Sequence, residues 1–119
     1  MTTLNLNQLR DIVHAACKEW WLDLETGTLL NRNRGEMLML MVSEISEAME
    51  GERKSTMDSH LPHRRTAEVE LADLLIRLLD YCGGCGYDLE GAFQEKMLYN
   101  STRKDHTAEA RREINGKKW

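Results

Sequence analysis

Two pairs of carboxylates sit inside apolar helical runs, and that placement limits how the chain can fold. Glu44 and Glu47 fall within Leu40-Met41-Val42-Ser43-Glu44-Ile45-Ser46-Glu47-Ala48-Met49. Glu70 and Asp73 fall within Glu68-Val69-Glu70-Leu71-Ala72-Asp73-Leu74-Leu75-Ile76. A spacing of i, i+3 puts each pair on one helix face, with Cβ atoms roughly 5–6 Å apart. Their neighbours are mostly Leu, Met, Ile, Val and Ala, so both helices are expected to be largely buried. Four carboxylates facing one another in a bundle core would repel strongly unless a cation neutralises them.

The remaining punctuation favours helices throughout. There is one proline, Pro62, and the glycines cluster at a few places. Leu9, Ile12, Val13, Ala16, Trp20 and Trp21 recur at helical spacing and predict a first helix over 7–21. Residues 23–34 read as a loop. A second helix is expected over 35–51, then a polar loop over 52–63. A third helix over 64–82 is apolar nearly all round from Leu71 to Tyr81 and should be the most buried, with Gly83-Gly84-Cys85-Gly86 stopping it. Asp88 is a good N-cap for a fourth helix to about residue 103. Residues 109–119 are charged and suit a short helix or a mobile tail. With no repeat and no linker, the expectation is one all-α domain over 1–119 with a four-helix bundle-like core and antiparallel neighbours.

Bulk properties narrow the function. The formal net charge of −4 argues against binding long nucleic acids, which calls for a basic surface. The charge is uneven, however: from Lys96 onward the chain is rich in Lys and Arg, as a polyphosphate ligand beside an acidic site would want. No apolar run is long enough to span a bilayer. Met1-Thr2-Thr3-Leu4-Asn5-Leu6 lacks the basic segment and apolar stretch of a signal peptide. Three cysteines make no disulfide framework, so a cytoplasmic location with reduced thiols is expected.

Either acidic motif alone says little, because glutamates at i, i+3 are common on solvated helices. On two consecutive apolar helices a solvated face becomes an awkward explanation. Glu68 and Glu50 suit ordinary surface positions, although Glu50, three residues past Glu47, leaves a ligand role open. Hard cations such as Mg²⁺ suit all-oxygen ligands and often bring a phosphorylated substrate, which points to a metal-dependent enzyme acting on phosphates. A ferritin-like di-iron site would need Glu-x-x-His pairs, and none occurs. Lys96, Asn100 and Arg103 share one stripe of the fourth helix and offer a point charge, an amide and a planar fork for phosphate oxygens; the alternative is a solvated basic face. Met97, Leu98 and Tyr99 would pack the opposite side. Cys82-Gly83-Gly84-Cys85 follows a helix where a redox pair would open one, so its glycines read as a cap and turn. Trp20 and Trp21 could stack on a nucleobase, and Asp23 could bond its edge, although core packing suits at least one tryptophan better. His14, two turns before Trp21, could face the same side, although a surface or core histidine is the plainer reading.

Glu-x-x-Glu, a spacer and Glu-x-x-Asp together resemble the all-α nucleoside triphosphate pyrophosphohydrolase superfamily, and the chain looks closest to its MazG-like branch in the short single-domain form of bacteria and phages. The resemblance runs from about Trp20 through Trp119. Leu61-Pro62-His63-Arg64, Glu68-Val69-Glu70-Leu71-Ala72-Asp73, Glu95-Lys96-Met97-Leu98-Tyr99-Asn100 and the ending Gly116-Lys117-Lys118-Trp119 are particularly similar to that branch. It implies that Glu44, Glu47, Glu70 and Asp73 bind Mg²⁺ or Mn²⁺. It also implies that Lys96, Asn100 and Arg103 contact the phosphates or sugar. The implied assembly is a homodimer or homotetramer with active sites near subunit interfaces. The implied activity is hydrolysis of a (deoxy)nucleoside triphosphate to monophosphate and pyrophosphate, for control of the dNTP pool or nucleotide housecleaning. The segment 104–112 makes the tail longer than in the most compact members.

The chemistry is consistent with these residues. Metal ions would bridge phosphate oxygens, lower the pKa of a bound water and stabilise the departing pyrophosphate. Glu47 is the first choice to accept the proton of the attacking water. The rival from another class is a non-catalytic helical module that binds a structural metal or a partner; Lys96, Asn100 and Arg103 weigh against it, because a structural metal would not need them.

Overall fold

A reciprocal cap at Asn5 starts the first helix. Asn5 Oδ1 accepts the Gln8 backbone N–H at 2.8 Å and Gln8 Oε1 accepts the Asn5 N–H at 2.9 Å, satisfying two orphan donors of the helix start. This computed structural model describes residues 3–119, so the first two residues of the amino-terminal run read above for a signal peptide lie outside the described residues. Helix α1 is Leu6–Ala16, α2 Arg34–Lys54, α3 Thr66–Cys85, α4 Leu89–Thr102 and α5 Ala108–Arg112. Among the described residues there is no strand, only the isolated bridges Leu22–Leu29 and Met57–Arg65, so the chain is all-α. No helix among them is long and apolar enough to cross a membrane.

The described residues fall into two compact units, the first ending at Tyr87 and the second spanning Asp88–Trp119. In the first, α2 and α3 run antiparallel. Gly51 near the end of α2 meets Thr66 at the start of α3, while Glu44, two turns earlier, reaches Arg77. Helix α1 is also antiparallel to α3, with Arg10 bonding the Tyr87 carbonyl and His14 bonding Asp80. The core along α2 is the stripe Met37, Met41, Glu44, Ala48 and Gly51, a seam of alternating four- and three-residue steps. Leu79 on α3 is the most deeply buried large side chain, at 1% exposure.

Two boundaries differ from the sequence expectation for physical reasons. The first helix stops at Ala16, and a 3₁₀ turn, Lys18–Trp21, follows. Three residues per turn swing neighbouring side chains about 120° apart, so Trp21 enters the core at 9% exposure while Trp20 points out at 74%. At the other end of α3, Gly83 and Gly84 do not stop the helix. They lie within it, and a Cβ there would come 2.5 Å from His14 Cβ and 2.2 Å from the Trp21 ring, respectively. These glycines serve close approach. The stop is Gly86, in the left-handed region at φ +69°, with the Tyr87 N–H bonding the Cys82 carbonyl at 3.0 Å. Gly84→Ala should therefore destabilise the fold by about 1–3 kcal/mol through overpacking. Urea unfolding followed by tryptophan fluorescence measures this, and an unchanged midpoint would contradict the packing described.

The core is also narrower than the apolar runs suggest. On α2 a second stripe, Leu38, Val42, Ile45 and Met49, is offset by one residue from the buried one and stays 46–56% exposed. Leu71, Leu75 and Ile76 on α3 are similarly open. The expectation that both helices are largely buried thus holds for one face of each.

In the second unit, Asp88 caps α4 as expected, its Oδ1 accepting the Gly91 N–H at 2.9 Å. The helix ends at Thr102. Met97, Leu98 and Tyr99 remain more than half exposed, so the packed apolar side expected of α4 is not formed. Past α5 the chain folds back. Lys118 Nζ donates to the Arg111 and Glu113 carbonyls at 2.6 and 3.0 Å, while Arg111 donates from Nε and Nη2 to the Lys117 and Lys118 carbonyls at 3.1 Å each. Part of the basic tail therefore caps a helix end.

Candidate functional site

The α2 core stripe places Glu44 where α3 presents a polar stripe of its own. Glu70, Asp73, Arg77 and Asp80 are spaced three, four and three apart, so they line one face of α3. Glu44, Glu47 and Glu70 each bring a carboxylate oxygen to within 4.8 Å of the others. Glu44 is buried, at 8% exposure; Glu70 is half-buried and Glu47 exposed. Asp73 lies outside that tight triple but close enough to feel Glu44, its strongest charged neighbour.

This crowding shifts protons. A hydrogen bond from Glu70 to Glu44 is the first cause, burial the second and Glu47 the third; together they push Glu70 up to about 8. Asp73 is held above the usual carboxylate range, by burial first and then by Glu44, with Arg77 pulling the other way. Asp58, in the loop before α3, adds to that rise. The Arg77 Nε–H donates to Glu44 Oε1 at 2.9 Å. Three convergent carboxylates, one of them retaining a proton near neutral pH, form an all-oxygen donor set suited to a hard divalent cation.

A cavity of about 510 Å³ opens beside these groups, lined in part by Trp20, Arg32, Glu44, Asp73, Arg77 and Asp80. That volume lies within the usual range for a small-ligand pocket. Trp20 brings an exposed indole to it. Arg32 is tied down, its Nη1 donating to the Trp20 carbonyl at 2.8 Å.

The other residues expected around a base do different work. Trp21 Nε1 donates to Asp80 Oδ1 at 2.9 Å, and His14 Nδ1 bonds the same oxygen at 2.8 Å. The His14 ring meets the Trp21 ring edge-on at 5.4 Å between centroids. These contacts join α1 and the 3₁₀ turn to α3, so Trp21 and His14 are held in a packed network. Asp23 Oδ1 accepts the Glu25 and Thr26 backbone N–H groups at 2.9 and 2.8 Å, bonds that hold its carboxyl below the usual range. It builds the turn in which Gly27 takes φ +70°.

In the second unit, Lys96 Nζ sits 4.7 Å from the Tyr99 ring centroid, a cation–π contact. Arg103 forms a two-pronged pair with Asp105, Nε to Oδ1 at 3.0 Å and Nη2 to Oδ2 at 2.7 Å, so a phosphate would have to displace that carboxylate. Asn100 Oδ1 is buried and lacks a hydrogen-bond partner among the described residues, leaving an acceptor to be satisfied. Cys82 and Cys85 are free in the last turn of α3, and burial pushes the Cys82 thiol up, opposite to a reactive thiolate.

Arg77, Arg32, Asp58 and Asp80 are the neighbours of the carboxylates and the cavity to which the acidic motifs did not point. Arg77 and Asp80 could have been found from their register with Glu70 and Asp73; the loop residues had no such signal. Compared with protein-family models, with curated proteins and with solved structures, the chain matches none.

Proposed function

We propose that this protein is a metal-dependent hydrolase that splits a (deoxy)nucleoside triphosphate into monophosphate and pyrophosphate. The observation that carries the reading is the convergence of Glu44, Glu47 and Glu70, of which Glu44 also lines a cavity large enough for a small ligand. The resemblance of the two acidic motifs to MazG-like pyrophosphohydrolases supplies the reaction.

Glu44, Glu47 and Glu70 would hold Mg²⁺ or Mn²⁺, with Asp73 completing the set. When bound, such an ion lowers the pKa of water and offsets charge on phosphate oxygens. Glu47, the most open of the three, would accept the proton of an attacking water. Trp20 offers an indole face to a base, a contact that tolerates any base and is worth about 1–3 kcal/mol in single-strand binders. The α4 residues enter through the resemblance alone, which assigns Lys96, Asn100 and Arg103 to phosphate or sugar.

The test is a panel of NTPs and dNTPs incubated with Mg²⁺ and, in parallel, with a chelator, followed by separation of the phosphate products. Monophosphate with pyrophosphate, formed only with metal, is expected. Diphosphate with orthophosphate would instead mark an ordinary phosphatase, and no turnover of any nucleotide would favour the metal- or partner-binding module.

Assembly follows from the exposed stripes. Leu38, Val42, Ile45 and Met49 form a continuous apolar band that a second copy would cover. Light scattering should give at least a dimer; a monomer mass at working concentration would contradict this.

A further inference from the structure

We propose that Arg77 is a phosphate-binding residue of the cavity, held on Glu44 until a divalent cation takes its place. The proposal rests on the functional reading above and assigns an anion contact within the first unit. Glu44 is buried, its side chain 10% exposed, and a buried carboxylate needs a positive or hydrogen-bonding partner. Arg77 supplies it through Nε alone, at 2.9 Å. Its side chain remains 42% exposed and lines the cavity. A guanidinium has five N–H donors in a fixed fork. Only Nε–H is used here in a hydrogen bond among the described residues, leaving the Nη edge for a ligand.

The cavity's other arginine is less open: the Arg32 side chain is 20% exposed, with Nη1 on the Trp20 carbonyl and Nη2 4.0 Å from Glu36. Arg77 also follows Asp73 by one helical turn and pulls that carboxyl down, so it neutralises two acids of the cluster. A cation on Glu44 and Asp73 would make that neutralisation redundant. It would also repel the guanidinium, which would then turn its fork to a phosphate in the same cavity. Metal and phosphate thus make opposite demands on one side chain, and a packing role would not produce opposite effects.

Arg77→Gln and Arg77→Lys separate these roles. Mn²⁺ affinity is measured by electron paramagnetic resonance on nucleotide-free protein. Phosphate binding is measured by calorimetric titration of Mn²⁺–tripolyphosphate into Mn²⁺-saturated protein, and circular dichroism verifies that each variant is folded. Arg77→Gln should bind Mn²⁺ about three- to tenfold more tightly, because a competing charge is gone, and bind tripolyphosphate about tenfold more weakly. Arg77→Lys should keep Mn²⁺ affinity close to that of the wild type while still losing tripolyphosphate affinity, because it keeps the charge and loses the fork. Arg77→Gln changing both affinities in the same direction, or changing neither, overturns the proposal. So does tighter Mn²⁺ binding with unaltered tripolyphosphate affinity. Failure of the wild type itself to bind tripolyphosphate would instead be failure of the parent reading, and the phosphate role of Arg77 would fall with it.

Discussion

Glu70→Gln is expected to lose metal-dependent hydrolysis by roughly a hundredfold or more, since removing even outer partners of metal ligands commonly costs 10- to 100-fold. The same change should stabilise the protein in chelator at alkaline pH. Glu70 is pushed up to about 8 from an ordinary 4.5. Its folded form therefore holds a proton that the unfolded chain has already released over that window. Stability contributed by this group is fully present below the unfolded value and lost as pH rises through the folded one. Glutamine keeps the shape and an N–H for Glu44 and cannot ionise. Thermal melts in chelator should thus show the wild type weakening from about pH 5 to pH 8 and Glu70→Gln weakening less. Full activity in the variant, or parallel pH curves for the two proteins, would remove Glu70 from the centre of the site.

The second large effect is on the metal. A cation binding among these carboxylates must displace the proton on Glu70, so affinity should climb about tenfold per pH unit below that group's titration and flatten above it. The rise should flatten near pH 8, where the proton leaves on its own. Calorimetry of Mg²⁺ binding in two buffers of different ionisation enthalpy should register release of about one proton per ion at neutral pH. Affinity independent of pH from 6 to 8 would mean that the cation binds elsewhere.

The all-α architecture was legible because so few residues interrupt helical spacing, and the Asp88 cap because a short acceptor stood before an apolar run. The convergence of Glu44, Glu47 and Glu70 was legible for the same reason, since i, i+3 spacing on consecutive apolar helices leaves few other arrangements. What misled was chemistry with two uses. Gly83 and Gly84 look like a stop, yet they make room for His14 and Trp21, and only the tertiary contact distinguishes the cases. Trp20 and Trp21 look equivalent until a 3₁₀ turn sends one in and one out. Asp23, Trp21 and His14 carry groups that could bind a base and spend them on a turn and on Asp80. Arg77 and Asp80 stood in plain register with Glu70 and Asp73, but a search for paired acids passes over a mixed-charge stripe.

Titration of Mn²⁺ into nucleotide-free protein at pH 8, followed by electron paramagnetic resonance, tests the central claim most directly. The wild type should bind Mn²⁺ saturably, and Glu44→Gln and Glu70→Gln, each verified as folded, should both weaken that binding by about tenfold or more. Equal Mn²⁺ affinity in all three proteins would contradict a metal centre built on these carboxylates.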